Sequence, residues 1–256
     1  MIKALFLSFI FCLITTYSYG KVRQFTFSYL PGIQAINFVD SNSKEKAKYS
    51  NLLKAGEQDN SFGVQEFSPI FFIANTQFEL TPGVSLNLDL EFNQYTYQIT
   101  KQSKKKEAST YSGGLGVNFN SQVTESIFAD FGTSIGIKSA KYSLMNDSEH
   151  TLVQMTLNVW VHIHYLGFTL KLVNTLAALG LSEVNGLGAL KDSSFSDSSL
   201  SYTFETTSIY SIAVGAFINH DHTELFGSVN PEPLNAYMID DLTIGAQISM
   251  IYKPKN

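Results

Sequence analysis

His162 and His164 stand two residues apart, beside Trp160. In an extended chain that spacing puts both imidazoles on one face, where they could share a metal ion. His220-Asp221-His222 is a second compact cluster, with the residue types of a metal site or an acid–base pair. His150 follows Asp147, Ser148 and Glu149, but adjacent loop residues rarely share the geometry of a catalytic triad. Plainer readings cover all three: a polar lining near a rim, a solvated hairpin turn and a surface loop. No metal, cofactor or catalytic residue is therefore expected. Lys101, Lys104, Lys105 and Lys106 form a basic run that suits phosphate groups or a solvated loop tip. Gly113-Gly114-x-Gly116 lies too close to Leu115, Val117 and Phe119 to be a phosphate loop. It fits relief of crowding, or a bend, in a strand. No nucleotide-binding motif is present.

The elements that must carry these residues are strands. Val84, Leu86, Leu88, Leu90 and Phe92 share one parity, against Ser85, Asn87, Asp89 and Glu91 on the other. The pattern returns in Val153, Met155, Leu157, Val159, Val161, Ile163 and Tyr165, set against Thr156, Asn158, Trp160, His162 and His164. A period of two means a strand with one apolar and one polar face. Ten strands are expected, at about residues 22–30, 67–80, 84–99, 110–119, 126–142, 151–165, 168–176, 200–218, 223–229 and 241–252. The first is extendable past Pro31-Gly32 to Phe38, and a bulge is expected near Asn93, where the apolar phase changes. If the eighth and ninth are not separate spans, the count is eight. The Ser-rich stretch 193–201 reads as a surface loop.

The first twenty residues have the layout of a secretory signal peptide: Lys3, an apolar stretch from Ala4 to Thr16, and small residues at Ser18 and Gly20. Cleavage after Gly20 would remove Cys12, the only cysteine, and leave residues 21–256 as a single domain without thiol chemistry. The formal charge is −5, one unit more negative without Lys3, which argues against nucleic acid. Mean hydropathy is +0.02. Alternating strands average out in that way, because lipid-facing and lumen-facing residues take turns.

Connections after even strands are short (81–83, 120–125, 166–167, 219–222), and those after odd strands are generally longer. Bacterial membrane barrels have short periplasmic turns and longer extracellular loops. In lipid every backbone polar group must pair internally, which only helices and closed barrels achieve. The expected fold is therefore an all-β, antiparallel, up-and-down transmembrane barrel.

The last strand carries Thr243-Ile244-Gly245-Ala246-Gln247-Ile248-Ser249-Met250. It resembles the C-terminal signal of bacterial outer-membrane β-barrels, with Thr243, Gly245, Ile248 and Met250 at the matching positions. The chain as a whole is similar to small barrels of the OmpA or OmpW type. The resemblance implies an outer-membrane location, export through the cleaved signal, and contact with the barrel-assembly machinery, membrane lipid and lipopolysaccharide. Lys101, Lys104, Lys105 and Lys106 would meet lipopolysaccharide phosphates. Barrel enzymes such as omptin proteases, lipid A deacylases and palmitoyl transferases keep catalytic groups at the extracellular rim or outer half. His150 is the histidine expected at that end, so an enzyme is the minor reading. A soluble lipocalin-like binder would also alternate.

The polar parity should line the lumen with Glu79, Asp89, Glu91, Asp130, Lys138, Lys171, Glu205 and Asp241. Acids and bases mix in this set, and a barrel of eight to ten strands is just wide enough for side chains to fill. The expected function is that of a narrow-bore envelope barrel: structural, surface-interacting or passing small solutes.

Overall fold

The computed structural model describes residues 21–40, 45–50, 61–63, 70–97, 106–143, 149–181, 190–226 and 236–254. The strands are β1 (Lys21–Tyr29), β2 (Gly32–Asp40), β3 (Glu45–Ser50), β4 (Ser61–Gly63), β5 (Ile70–Thr81), β6 (Val84–Tyr97) and β7 (Lys106–Gln122). They continue as β8 (Ile127–Ser143), β9 (Glu149–Tyr165), β10 (Phe168–Gly180), β11 (Leu190–Glu205), β12 (Tyr210–Phe226) and β13 (Ala236–Tyr252). From β5 to β13 each strand pairs antiparallel with the next, and β1 closes the sheet by pairing with both β5 and β13. Pro31 lacks an amide proton and interrupts the first stave. Pairing survives the break: Leu30 donates its N–H to Phe71 O, and Ala246 to Pro31 O, each at 2.9 Å. β2 then continues along β13 from Gly32↔Gly245 to Asp40↔Tyr237. The result is a closed ten-stave antiparallel barrel, with β3 and β4 attached to the upper part of β2.

The turns at one end are all short. Leu166 and Gly167 both have positive φ (46° and 86°), the two-residue hairpin geometry that matches strand twist. The β7–β8 and β11–β12 turns use threonine instead. Thr124 Oγ1 accepts from the N–H of Ile127 at 3.1 Å, and Thr207 Oγ1 from that of Tyr210 at 2.9 Å. Both described ends of the chain lie at this same end of the barrel.

Four sequence expectations are corrected here. Residues 200–218 are not one strand; they contain the end of β11, the turn 206–209 and the start of β12. That turn has no Gly, Pro, Asn or Asp, and its four residues leave the parity of Phe204 and Tyr210 unchanged, so alternation runs through it. The predicted turn 219–222 and separate ninth strand are consequently the upper part of β12. The Ser-rich stretch is strand β11 rather than a loop, with small hydroxyls on the inward parity. No bulge exists at Asn93: the register with β7 is unbroken from Val84 to Tyr97. A bulge falls instead between Thr175 and Ala177 of β10.

The apolar parity faces outward. Leu115, Ile135, Ile137, Val214, Ile248 and Met250 are all exposed, while Ser85, Asn87, Asn118 and Gln154 on the other parity are buried. A lipocalin-like binder would have these faces reversed. Aromatic contacts edge the belt near the short turns, with Phe168–Tyr202 at 4.8 Å and Tyr210–Tyr252 at 5.2 Å. Another set, Phe92–Tyr111 at 5.1 Å and Phe27–Phe72 at 5.5 Å, lies further up the staves. Aromatic girdles at both borders of an apolar band mark a transmembrane barrel. No helix among the described residues is long and apolar enough to cross a membrane.

Candidate functional site in the barrel lumen

The inward parity of the staves concentrates charge in the lumen. Lys138 on β8 places its ammonium on the Asp221 carboxylate of β12. Three strands, β9 to β11, separate these two in the sheet order, so the pair spans the bore. Both side chains are about nine-tenths buried (8% and 10% exposed). Lys138 also lies 5.4 Å from the centre of the Phe195 ring, within cation–π range. Lys171 on β10 bonds Asp197 of the adjacent β11 at 2.8 Å. Asp89 accepts from Asn75 Nδ2 at 2.6 Å, and Ser112 donates to Glu91 at 3.5 Å. Glu91 sits in the combined field of Lys138, Lys171, Asp197 and Asp221.

Apolar groups occupy part of the same lumen. Leu30, Phe71 and Phe217 are buried together, with Ile73 against them, and the Phe71 and Phe217 rings meet edge to face at 5.9 Å. Gly245 makes this possible: a Cβ there would lie 2.1 Å from Pro31 O and 2.9 Å from the Phe217 ring. Gly245 thus has a packing reason of its own. Thr243 is buried on the inward parity, while Ile248 and Met250 are exposed on the outward one.

Nearer the short turns, Trp160 lies across Gly116 and Gly132 and donates from Nε1 to Asn118 Oδ1 at 3.0 Å. A Cβ on Gly132 would be 2.4 Å from the indole, and one on Gly116 2.7 Å. Below it, His164 contacts Asp130 Oδ2 through Nε2 and Thr169 Oγ1 through Nδ1, each at 3.0 Å. His162 stands directly opposite Asp130 in the β8–β9 register. These three residues are the group of described side chains able to converge on a metal ion.

Of the residues singled out in the sequence, Glu79, Asp89, Glu91, Asp130, Lys138, Lys171, Glu205 and Asp241 all occupy inward register positions. Glu205 is at the exposed short-turn rim, and Asp241 stands opposite Asp221. The 220–222 cluster is divided between faces: Asp221 is inward and buried, His220 outward and exposed. Lys101, Lys104 and Lys105, like residues 1–20 with Cys12, lie outside the described residues, and Lys106 opens β7. His150 falls in β9. Sequence reasoning places Asp197 and Asp221 in connections, the latter in the 220–222 cluster, and so misses both as lumen residues. The signal that finds them is parity: Asp197 is in phase with Ser199 and Ser201, and Asp221 with Phe217 and Asn219.

A closed sheet with a polar, ion-paired interior and an apolar exterior defines the class: the fold of the bacterial outer-membrane β-barrels. No protein-family model and no curated protein matches the chain. Among solved structures it is similar to the outer membrane protease OmpT from Escherichia coli, at 9% identity, TM-score 0.51, over 92% of this chain and 98% of that one. Other matches are Neisserial surface protein A (9% identity, TM-score 0.36, 90% and 97% covered) and the Ail attachment invasion locus protein of Yersinia pestis (9%, 0.33, 88% and 97%). At such identities the likeness concerns the fold.

Proposed function

We propose that this protein is a plugged, non-conducting barrel of the bacterial outer membrane that acts through its exposed outer end. The observation that carries this reading is the Lys138–Asp221 pair across the bore, with the Phe71–Phe217 contact filling the lumen as well. Two further features agree with it. The strands outlast the apolar belt: on the outward parity of β12, Val214 and Ile218 give way to exposed His220. Beside them on β11, Leu200 gives way to Ser196 and Ser194. The staves therefore project beyond the band that lipid would cover, as a platform for surface interaction.

The proposal includes export through a signal ending at Gly20 and reading of the Thr243–Met250 motif by the barrel-assembly machinery. It also includes lipopolysaccharide phosphates as partners of Lys101, Lys104, Lys105 and Lys106, and no enzymatic activity. Single-channel recording of the detergent-purified protein in a planar bilayer tests the plug. The wild type should insert without discrete conductance steps, and the double variant Lys138→Ala/Asp221→Ala should produce small ones. Reproducible steps from the wild type would make it a solute pathway instead.

A further inference from the structure

We propose that Asp130, His162 and His164 form a binding site for one divalent transition-metal ion of the zinc class at the short-turn end of the lumen. Asp130 and His162 are paired across β8 and β9, and His164 follows two residues on, so three donors leave the same inward face. One ligand atom from each lies within 4.8 Å of the others. Tetrahedral zinc with bonds near 2.0 Å separates its donors by roughly 3.3 Å. The longest gap must therefore close by about 1.5 Å, a movement that side-chain rotation supplies.

His164 is already set for the role. Its Nδ1 is engaged by Thr169 Oγ1 at 3.0 Å, which turns Nε2 onto Asp130 Oδ2, also at 3.0 Å. A metal in place of the proton between Nε2 and the carboxylate would leave Thr169 as the outer-shell contact that metal-bound histidines keep. His162 supplies the independent pointer: its Nε2 is buried and has no hydrogen-bond partner. A buried imidazole nitrogen left unpaired is costly, and ligation to a cation answers that cost.

Two imidazoles and one carboxylate select zinc, cobalt or nickel over calcium and magnesium, which take oxygen ligands. Three protein ligands would leave a fourth position open to water. The cation nearest to opposing this site is Lys171, which stands opposite His162 in the β9–β10 register. Its ammonium is held by Asp197 at 2.8 Å and feels Asp89 and Glu91 as well, so its charge is offset. Access comes from the short-turn side, where the His164 side chain is 37% exposed and that of Asp130 15%.

The test is metal titration of the chelator-treated, untagged protein purified in detergent, with Co2+ as a visible probe and Zn2+ as competitor. The expected result is one Co2+ per chain, displaced by Zn2+. His162→Gln or Asp130→Asn should weaken Zn2+ binding about 100-fold or more, and Thr169→Val about 10-fold. His220→Gln and His222→Gln should leave it unchanged. Absence of one-to-one binding, or binding that survives His162→Gln in a folded barrel, overturns the proposal. Should a ligand variant not fold, the wild type decides through its single tryptophan. Trp160 lies two residues from His162 on the same face, so bound Co2+ should quench its emission and Zn2+ restore it; no quenching overturns the site.

Discussion

The upper and lower parts of the lumen use the same polar parity but are closed by different kinds of contact. Near the short turns, Trp160 on β9 packs on Gly132 of β8 and bonds Asn118 of β7; His164 reaches Asp130 on β8 and Thr169 on β10. All of these join staves one or two places apart. Further up, Lys138–Asp221 and Phe71–Phe217 join staves on different sides of the bore. Neighbour contacts follow from register alone and can form in an open sheet. Cross-bore contacts need staves that are not neighbours to be brought face to face, so loop-closure entropy must be met before they form. The lower lumen therefore acts as a wall and the upper lumen as a clasp.

The largest effect should come from unfastening the clasp. Lys138→Ala leaves Asp221 buried without its cation, and Asp241 stands directly opposite it in the β12–β13 register. Removing one partner of a buried pair costs about 3–5 kcal/mol, whereas replacing both with apolar groups of similar size is often neutral. Urea unfolding in detergent, followed through Trp160 emission, should show that loss for Lys138→Ala and recovery of most of it in Lys138→Met/Asp221→Leu. A single variant as stable as the wild type would remove the distinction between clasp and wall.

Crowding the wall comes next. At Gly132 an added Cβ would lie 2.3 Å from Val117 O and 2.4 Å from the Trp160 ring. The first of these is backbone, so rotamer change cannot relieve both. Gly132→Ala should cost about 1–3 kcal/mol, the usual range for overpacking, and shift Trp160 emission. The conductance of this variant should stay silent, because the clasp is intact. A Gly132→Ala barrel that conducts would show that wall and clasp are coupled.

The same division explains what could be read from the sequence. Strands β5 to β10 are legible because their apolar residues alternate, and the turns β5–β6 and β9–β10 carry Pro82-Gly83 and Gly167. The Asp130, His162 and His164 positions were legible as inward for the same reason. Their convergence was not, since it needs the β8–β9 register. The β11–β12 region misled because Thr206-Thr207-Ser208-Ile209 turns the chain with a threonine hydroxyl in place of a glycine or proline. Its four residues also preserve parity. That one misplaced turn hid Asp197 and Asp221, and with them the partners of Lys171 and Lys138. No local pattern encodes a contact from β8 to β12; it is a property of the curved sheet that sets these staves across the bore from one another.

The smallest effect should come from a single hydrogen-bonding side chain in the wall. Asn118 accepts from Trp160 Nε1 at 3.0 Å and donates to Asn120 Oδ1 at 2.7 Å, so it holds the indole against its two glycines. Asn118→Ala removes both of these neutral side-chain hydrogen bonds, each typically worth about 0.5–1.5 kcal/mol, without the backbone clash that Gly132→Ala brings. The indole stays packed by the surface that Gly116 and Gly132 leave open, and the barrel should fold with its metal site intact. Trp160 emission should nonetheless change, because its N–H loses a fixed acceptor. If Asn118→Ala also weakens Co2+ binding at Asp130, His162 and His164, the indole orients the histidine beside it, and the wall is one cooperative unit rather than a stack of separate pairs.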